Sequence, residues 1–304
     1  MFSSLINEGK QSLMELSFTD RVFHIFWLIG PFILLIERSP ADIWMSTISL
    51  AFLFKVIKNR DYKWICNFWV SAALTFWAVC LTSAALSSDP SYAFGEAFVW
   101  IRFPLFAMAT VFWLGRDSRL LHLMLVSTAI GFLLMCCILS GEIFYNREVW
   151  MPGQRLSWPY GDFVPGNYLT KGGLPVVVIA SAIAACRGSQ NVLAAGLFLF
   201  CGILFVTLTG ERINTLILLS AVVLAGAIWR PYWRRYVTLF TFAVVFVVSL
   251  FHFYPELSSR FTTQVLYLIP TGEHSAYYRA MMPGFLAFEQ NPILGIGTGN
   301  FRNL

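Results

Sequence analysis

Long apolar runs alternate with short polar breaks along the chain, and the runs fall at about 22–36, 41–57, 66–86, 97–114, 120–139, 172–186, 191–209, 213–229 and 236–254. A helix rises 1.5 Å per residue, so about 20 apolar residues cross the hydrocarbon of a bilayer. The pattern predicts an all-α fold: a polytopic helical membrane protein of about nine transmembrane helices with two extracytoplasmic loops. The first and sixth runs are short and predict tilted or partly re-entrant segments. Ahead of them, Leu5, Leu13 and Leu16 alternate with Asn7, Glu8, Lys10 and Glu15, which predicts a short interfacial helix over residues 2–18. Glu8, Glu15 and Asp20 precede the first run and no small-residue cleavage site follows it, so that run reads as a retained span and not as a signal peptide.

Two polar stretches are much longer than the other breaks. Residues 140–171, SGEIFYNREVWMPGQRLSWPYGDFVPGNYLTK, are rich in Pro, Gly and aromatic side chains and predict an ordered, irregular loop on the bilayer surface. Residues 255–304 contain HSAYYRAMMPGFLAFEQNPILGIGTGNF, read as a short amphipathic helix broken at Pro283 and followed by turns. The glycines of LGIGTGNF read as turn glycines, because a dinucleotide loop needs a preceding strand, a following helix and another spacing. The chain is expected to form a single membrane domain over 1–304, with a bundle at 22–254, an outer loop at 140–171 and the incomplete start of a large outer loop at 255–304.

Composition sharpens this picture. The chain is 58% hydrophobic and 12% charged, with a mean hydropathy of +0.68. Soluble globular proteins carry about 25% charged residues, which excludes a soluble enzyme. The net charge of +5 serves topology and no basic run argues for a nucleic-acid partner. With the amino terminus in the cytoplasm, the inner connections hold Lys55, Lys58, Arg60, Lys63, Arg116, Arg119, Arg187, Arg230, Arg234 and Arg235, against Arg38 and Arg212 in the short outer ones. Such a bias follows the positive-inside rule and puts Arg212 and both long loops on the extracytoplasmic face. The six cysteines all lie in or beside the apolar runs, which argues against a disulfide framework, and their spacing fits no metal site.

Against that background, charges near hydrocarbon depth stand out. In TLTGERINTLILL, Glu211 and Arg212 separate two apolar runs, and an uncompensated charge there costs several kcal/mol. Arg212 lies just before a helix, where an anion would meet both a guanidinium and the amino-terminal helix dipole, an arrangement suited to phosphate or pyrophosphate. The alternative is that it pairs with Glu211 or snorkels to headgroups. Arg279, flanked by Tyr277, Tyr278 and Met281, is an interfacial anchor or the second half of a two-arginine clamp. Arg102, in VWIRFPLF beside the helix-kinking Pro104, either binds a ligand or snorkels outward. Lys171, Arg147 and Arg155 add positive charge to the outer face and would attract an anionic substrate. His274, five residues before Arg279, is a solvated loop histidine or a general base.

Three segments together resemble the O-antigen ligase and polymerase family of bacterial inner-membrane glycan enzymes. They are LTGERINTLILL, YYRAMMPGFLAFEQNPILGIGTGNF, and VWIRFPLFAMATVFWL with GDFVPGNYLTKGGLP; the likeness runs from about Pro90 onward. The resemblance implies a metal-independent, inverting glycosyltransferase without a cofactor, acting at the periplasmic leaflet in lipopolysaccharide biosynthesis. Its donor would be glycan linked to undecaprenyl pyrophosphate. Its acceptor would be a hydroxyl of lipid A-core in a ligase, or a second lipid-linked glycan in a polymerase. Arg212 and Arg279 match the family positions thought to hold the pyrophosphate, with Glu211, Arg102 and Lys171 as further candidates for substrate binding.

The family's base histidine lies in the part of the outer loop that follows the Gly-rich turn. His274 precedes the turn and does not match it, so no catalytic residue is assigned. The expectation is a chain truncated at its carboxy end or completed by a partner, and inactive alone. Readings of another class are a lipid-linked glycan transporter and an inactive remnant; the transporter would show midplane charges and internal pseudo-symmetry, which the sequence lacks.

Overall fold

A computed structural model describes residues 2–145, 156–159, 164–185, 192–228, 232–262 and 276–300. The described residues are helical, with turns between helices and no strand. Five helices are long and apolar enough to cross a membrane: Ser39–Asn59, Phe68–Ala85, Pro90–Leu114, Ser118–Tyr145 and Trp233–Phe253. A sixth crossing arises if Pro165–Gly172 and Leu174–Ala185, bent by 59° at their junction, count as one. Large apolar side chains such as Phe54, Phe68 and Phe144 face outward from these helices. Water would disfavour such faces, whereas lipid accommodates them. This is a helical membrane protein.

The contacts divide the chain into two compact units: 1–27, 41–121 and 267–304 form the first, 28–40 and 122–266 the second.

In the first unit the amino-terminal helix α1 (Phe2–Glu15) forms as its spacing predicts, and α2 (Phe18–Leu28) follows. Next come α3 (Arg38–Asn59), α4 (Phe68–Ala85), α5 (Pro90–Trp100) and α6 (Arg102–Ala109), the last continuing into a π turn over Thr110–Leu114. Ala84, Ala93 and Ala97 are fully buried where α4 meets α5. Small residues let helix backbones approach closely, as lipid-embedded helices require. The break between α5 and α6 falls at Ile101, one turn before Pro104, where the proline ring and missing N–H disrupt the helical ladder.

The Gly-rich turn folds onto the start of α5. Thr298 donates to the Ala93 carbonyl at 2.8 Å. Gly295, Gly297 and Gly299 have φ of +71°, +88° and +83°, as turn glycines should. A Cβ on Gly297 would lie 2.5 Å from Ser87, so the close approach itself demands glycine there. One expectation fails. Helix α13 (Ala276–Gln290) contains Pro283 and runs through it. The proline removes one i→i−4 hydrogen bond without ending the element.

The second unit is built from α7 (Ser118–Tyr145), α8 (Leu174–Ala185), α9 (Val192–Leu208), α10 (Arg212–Ile228), α11 (Trp233–Phe253) and α12 (Pro255–Phe261). Phe132, Met135, Leu139, Leu169, Val206 and Leu218 form the centre of its core. The Phe132 ring fills the space that Gly173 and Gly202 leave open: a Cβ on either would lie 2.5 Å or 2.9 Å from it. At 17 residues each, α9 and α10 are shorter than the roughly 20 residues a crossing takes.

Candidate functional site

The stretch Thr207–Gly210 ends one helix and sets up the next. Thr209 N–H donates to Phe205 O and Gly210 N–H to Thr207 O, both at 3.0 Å, and Gly210 sits at φ +70°. A left-handed glycine just past a helix end is the usual way to satisfy its last carbonyls and turn the chain away. Glu211 follows, and its carbonyl accepts from Thr215 N–H at 3.1 Å, so α10 starts with Arg212 as its first residue. The Glu211 carboxylate therefore lies at the positive end of the α10 dipole, where it is stabilised. Arg212, half-buried at the same end, is opposed by that dipole by about 0.3–1 kcal/mol. Helix formation alone does not favour an arginine at this position.

The partner surface comes from the broken segment at 164–173. Pro165–Gly172 ends in a π turn over Tyr168–Gly172, and Gly173 marks the bend before α8, whose Pro175 lies in the first turn where a missing N–H costs nothing. Tyr168 anchors this segment by donating to Pro31 O at 2.8 Å. Asn167 and Thr170, one turn apart, thereby face Glu211 and Asn214, also one turn apart. The Thr170 hydroxyl lies 2.9 Å from Asn214 Oδ1 and 2.7 Å from Gly166 O, both acceptors for its proton. Asn214 Nδ2 donates to Glu211 Oε2 and, at 3.4 Å, to Asn167 Oδ1. Thr170 and Asn214 are buried.

Gly166 closes the cluster from the other side. A Cβ there would lie 2.7 Å from Glu211 Oε2 and 2.9 Å from both Asn214 Nδ2 and Thr209 Oγ1. The polar groups have thus been brought against bare backbone. Irregular backbone inside a helical membrane protein is tolerated where protein groups satisfy it, which Thr170 does for Gly166.

Glu211, Arg212 and Lys171 belong to the second unit; Lys171 is exposed on the π turn. Arg102 belongs to the first unit, where it pairs with Asp42 at 3.0 Å and its guanidinium lies 5.0 Å from the Phe103 ring centroid. Arg279 lies on α13 of the first unit, and its side chain is outside the described residues, as are His274, Arg147 and Arg155. Among the described residues, no three His, Cys, Asp or Glu side chains gather into a metal site. Gly166, Asn167, Thr170 and Asn214 are the residues sequence reading did not single out. Their signal was present: E-x-x-N and N-x-x-T, each one helical turn, are isolated polar pairs beside apolar runs.

No protein-family model, curated protein or solved structure matches this chain.

Proposed function

We propose that this protein is a glycosyltransferase similar to the O-antigen ligases, moving glycan from undecaprenyl pyrophosphate to a hydroxyl of lipid A-core at the periplasmic face of a bacterial inner membrane. In this reading the chain makes about nine crossings with its amino terminus in the cytoplasm, the shorter apolar helices α9 and α10 among them. The observation that carries it is the start of α10. Arg212 opens α10 beside Glu211, whose carboxylate accepts from Asn214, within the segment that resembles the family.

The chemistry follows from that placement. The acceptor hydroxyl attacks the anomeric carbon from the face opposite the leaving group and releases its proton to water, the glycosidic C–O bond breaks, and the lipid pyrophosphate departs with the bonding electrons. Arg212, with Arg279 as its proposed partner, would bind the phosphates and meet the charge that grows on the leaving oxygen. A single preorganised donor of this kind is worth about 3–4 kcal/mol of barrier, or roughly a hundred- to a thousandfold in rate. Glu211, held by Asn214, would fix the arginine's surroundings, and Lys171 would add attraction for the anionic donor.

The test is a chromosomal Arg212→Ala replacement in the source cell. The expected result is loss of long-chain lipopolysaccharide with lipid-linked polymer accumulating. Loss of the polymer itself would assign the chain to polymerases of the same family, and unchanged lipopolysaccharide would contradict both. A transporter of lipid-linked glycan is the second reading, because a discontinuous membrane helix such as the 59° break before α8 is common in transporters. It would be favoured if Arg212→Ala stopped translocation of lipid-linked glycan while glycan transfer continued.

A further inference from the structure

A second group of charges lies in the first unit, far along the sequence from Arg212. Where α3 ends and the π turn after α6 ends, a cleft of about 560 Å³ opens between Lys55, Lys63, Trp64, Phe112, Trp113 and Arg116. Its floor is aromatic: Trp64 is buried, its ring centroid 5.4 Å from Phe52 and 6.5 Å from Phe112, and Phe112 stacks flat on Trp69 at 5.7 Å. Its rim is basic. Lys55 is already neutralised, since it binds Asp20 and lies 4.9 Å over the Trp113 ring, and Trp113 Nε1 donates to the same carboxylate at 3.0 Å. Lys63 and Arg116 are exposed and form no ion pair among the described residues. Asp61 on the same rim accepts a backbone N–H from Lys63 at 3.4 Å.

The backbone at this corner is also held out of its ordinary range. Arg60, which follows α3, sits at φ +51°, and Asp61 N–H reaches back to Val56 O at 3.3 Å. This tight helix end turns Asp61–Trp64 over the cleft, with Trp64 Nε1 donating to Asp61 O at 3.0 Å. Tryptophans with basic residues at the ends of apolar helices mark the headgroup level of a bilayer, and basic pockets between such helices bind anionic lipid headgroups.

We propose that this cleft is a binding site for a phosphodiester, supplied by the headgroup of an anionic phospholipid. Lys63 and Arg116 hold the phosphate oxygens, and the glycerol backbone and upper acyl chain lie against Trp64 and Phe112. Arg116 offers the planar fork that matches two phosphate oxygens, while Lys63 acts as a point charge. The Lys55–Asp20–Trp113 group keeps the rear wall neutral and in place, so that the headgroup meets the two exposed cations. A zwitterionic lipid brings its own ammonium to the same rim and gains less. The site is independent of Arg212 and of the glycan chemistry proposed for it.

Native mass spectrometry of the full chain in detergent, titrated with dioleoyl phosphatidylglycerol or dioleoyl phosphatidylcholine, tests this. The expected result is preferential retention of phosphatidylglycerol, weakened about tenfold by Lys63→Gln with Arg116→Gln, since two charge-assisted hydrogen bonds are lost. Lys10→Gln, which removes a cation elsewhere, should leave binding unchanged, and Lys63→Arg with Arg116→Lys should largely keep it. Millimolar inorganic phosphate should fail to displace the lipid. Displacement by phosphate would keep the anion site and overturn its assignment to a lipid. Equal retention of the two lipids, or unchanged binding in the double glutamine variant, would overturn the site itself.

Discussion

Thr170 and Asn214, separated by 44 positions in the chain, meet at 2.9 Å inside the second unit, hydroxyl to side-chain carbonyl. Through that contact the broken segment before α8 is tied to the first turn of α10, and Asn214 has its amide left to hold Glu211. Asn214→Leu keeps the volume but strips Glu211 and Thr170 of a partner. It should lower stability in detergent by about 1–3 kcal/mol. A double-mutant cycle with Thr170→Val should be clearly non-additive, because the two side chains share one network. Additive losses would mean that the contact carries no coupling.

Gly166→Ala tests the close approach of backbone to this cluster. The added methyl would lie within 2.9 Å of Glu211, Asn214 and Thr209 atoms, and one of them must move. The expected outcome is a lower thermal midpoint together with impaired lipopolysaccharide assembly in the cell. Gly196→Ala in α9 is the control: a Cβ there meets nothing within 4 Å, and a helical Gly→Ala change stabilises by up to about 1 kcal/mol.

Much of this architecture is legible from the spacing of apolar residues. The first-turn position of Arg212, the turn role of the three glycines and the amino-terminal helix all follow from local rules. The pairings do not. Asp42 meets Arg102 across 60 positions, and Thr170 meets Asn214 across 44; hydropathy records each as an isolated polar residue with no address. Helix lengths are equally hidden. The sixth run, 172–186, reads as short and tilted or partly re-entrant; the chain bends by 59° between Pro165–Gly172 and Leu174–Ala185, a bend whose angle and polar first half hydropathy does not place. Pro283 reads as a break, whereas the rest of the α13 ladder carries the helix past it.

Glu142 links α7 to the stretch after it. Buried at 4% exposure, its carboxylate accepts Ser157 N–H at 3.0 and 3.1 Å and Trp158 N–H at 3.0 Å. Glu142→Gln would turn an NH2 group toward donors. Hydrogen exchange at the Ser157 and Trp158 amides should accelerate about tenfold or more, while amides in the middle of α7 stay protected. Uniform exchange in both proteins would show that the carboxylate does not hold this stretch.

Asp117 governs how α1 is attached. It accepts from Arg119 side-chain and backbone N–H groups at 2.9–3.3 Å and from Ser12 Oγ at 2.5 Å. The hydrogen bonds from Arg119, then that from Ser12, hold its carboxyl at about 2, below the ordinary 3.8. Because the folded value is the lower one, the stabilisation is fully present above about pH 4 and is lost as pH falls through about 2. Protease cleavage within residues 2–15 should therefore rise over that window, and Asp117→Asn should show the acid behaviour already at neutral pH.

The most direct measurement is equilibrium binding of undecaprenyl pyrophosphate to the purified protein in nanodiscs, with undecaprenol as the phosphate-free control. Arg212→Ala should weaken binding of the pyrophosphate lipid about 10- to 100-fold, the loss of a charge-assisted, two-pronged contact, with Arg212→Lys in between and undecaprenol unaffected. Equal affinity of wild type and Arg212→Ala for undecaprenyl pyrophosphate would contradict it.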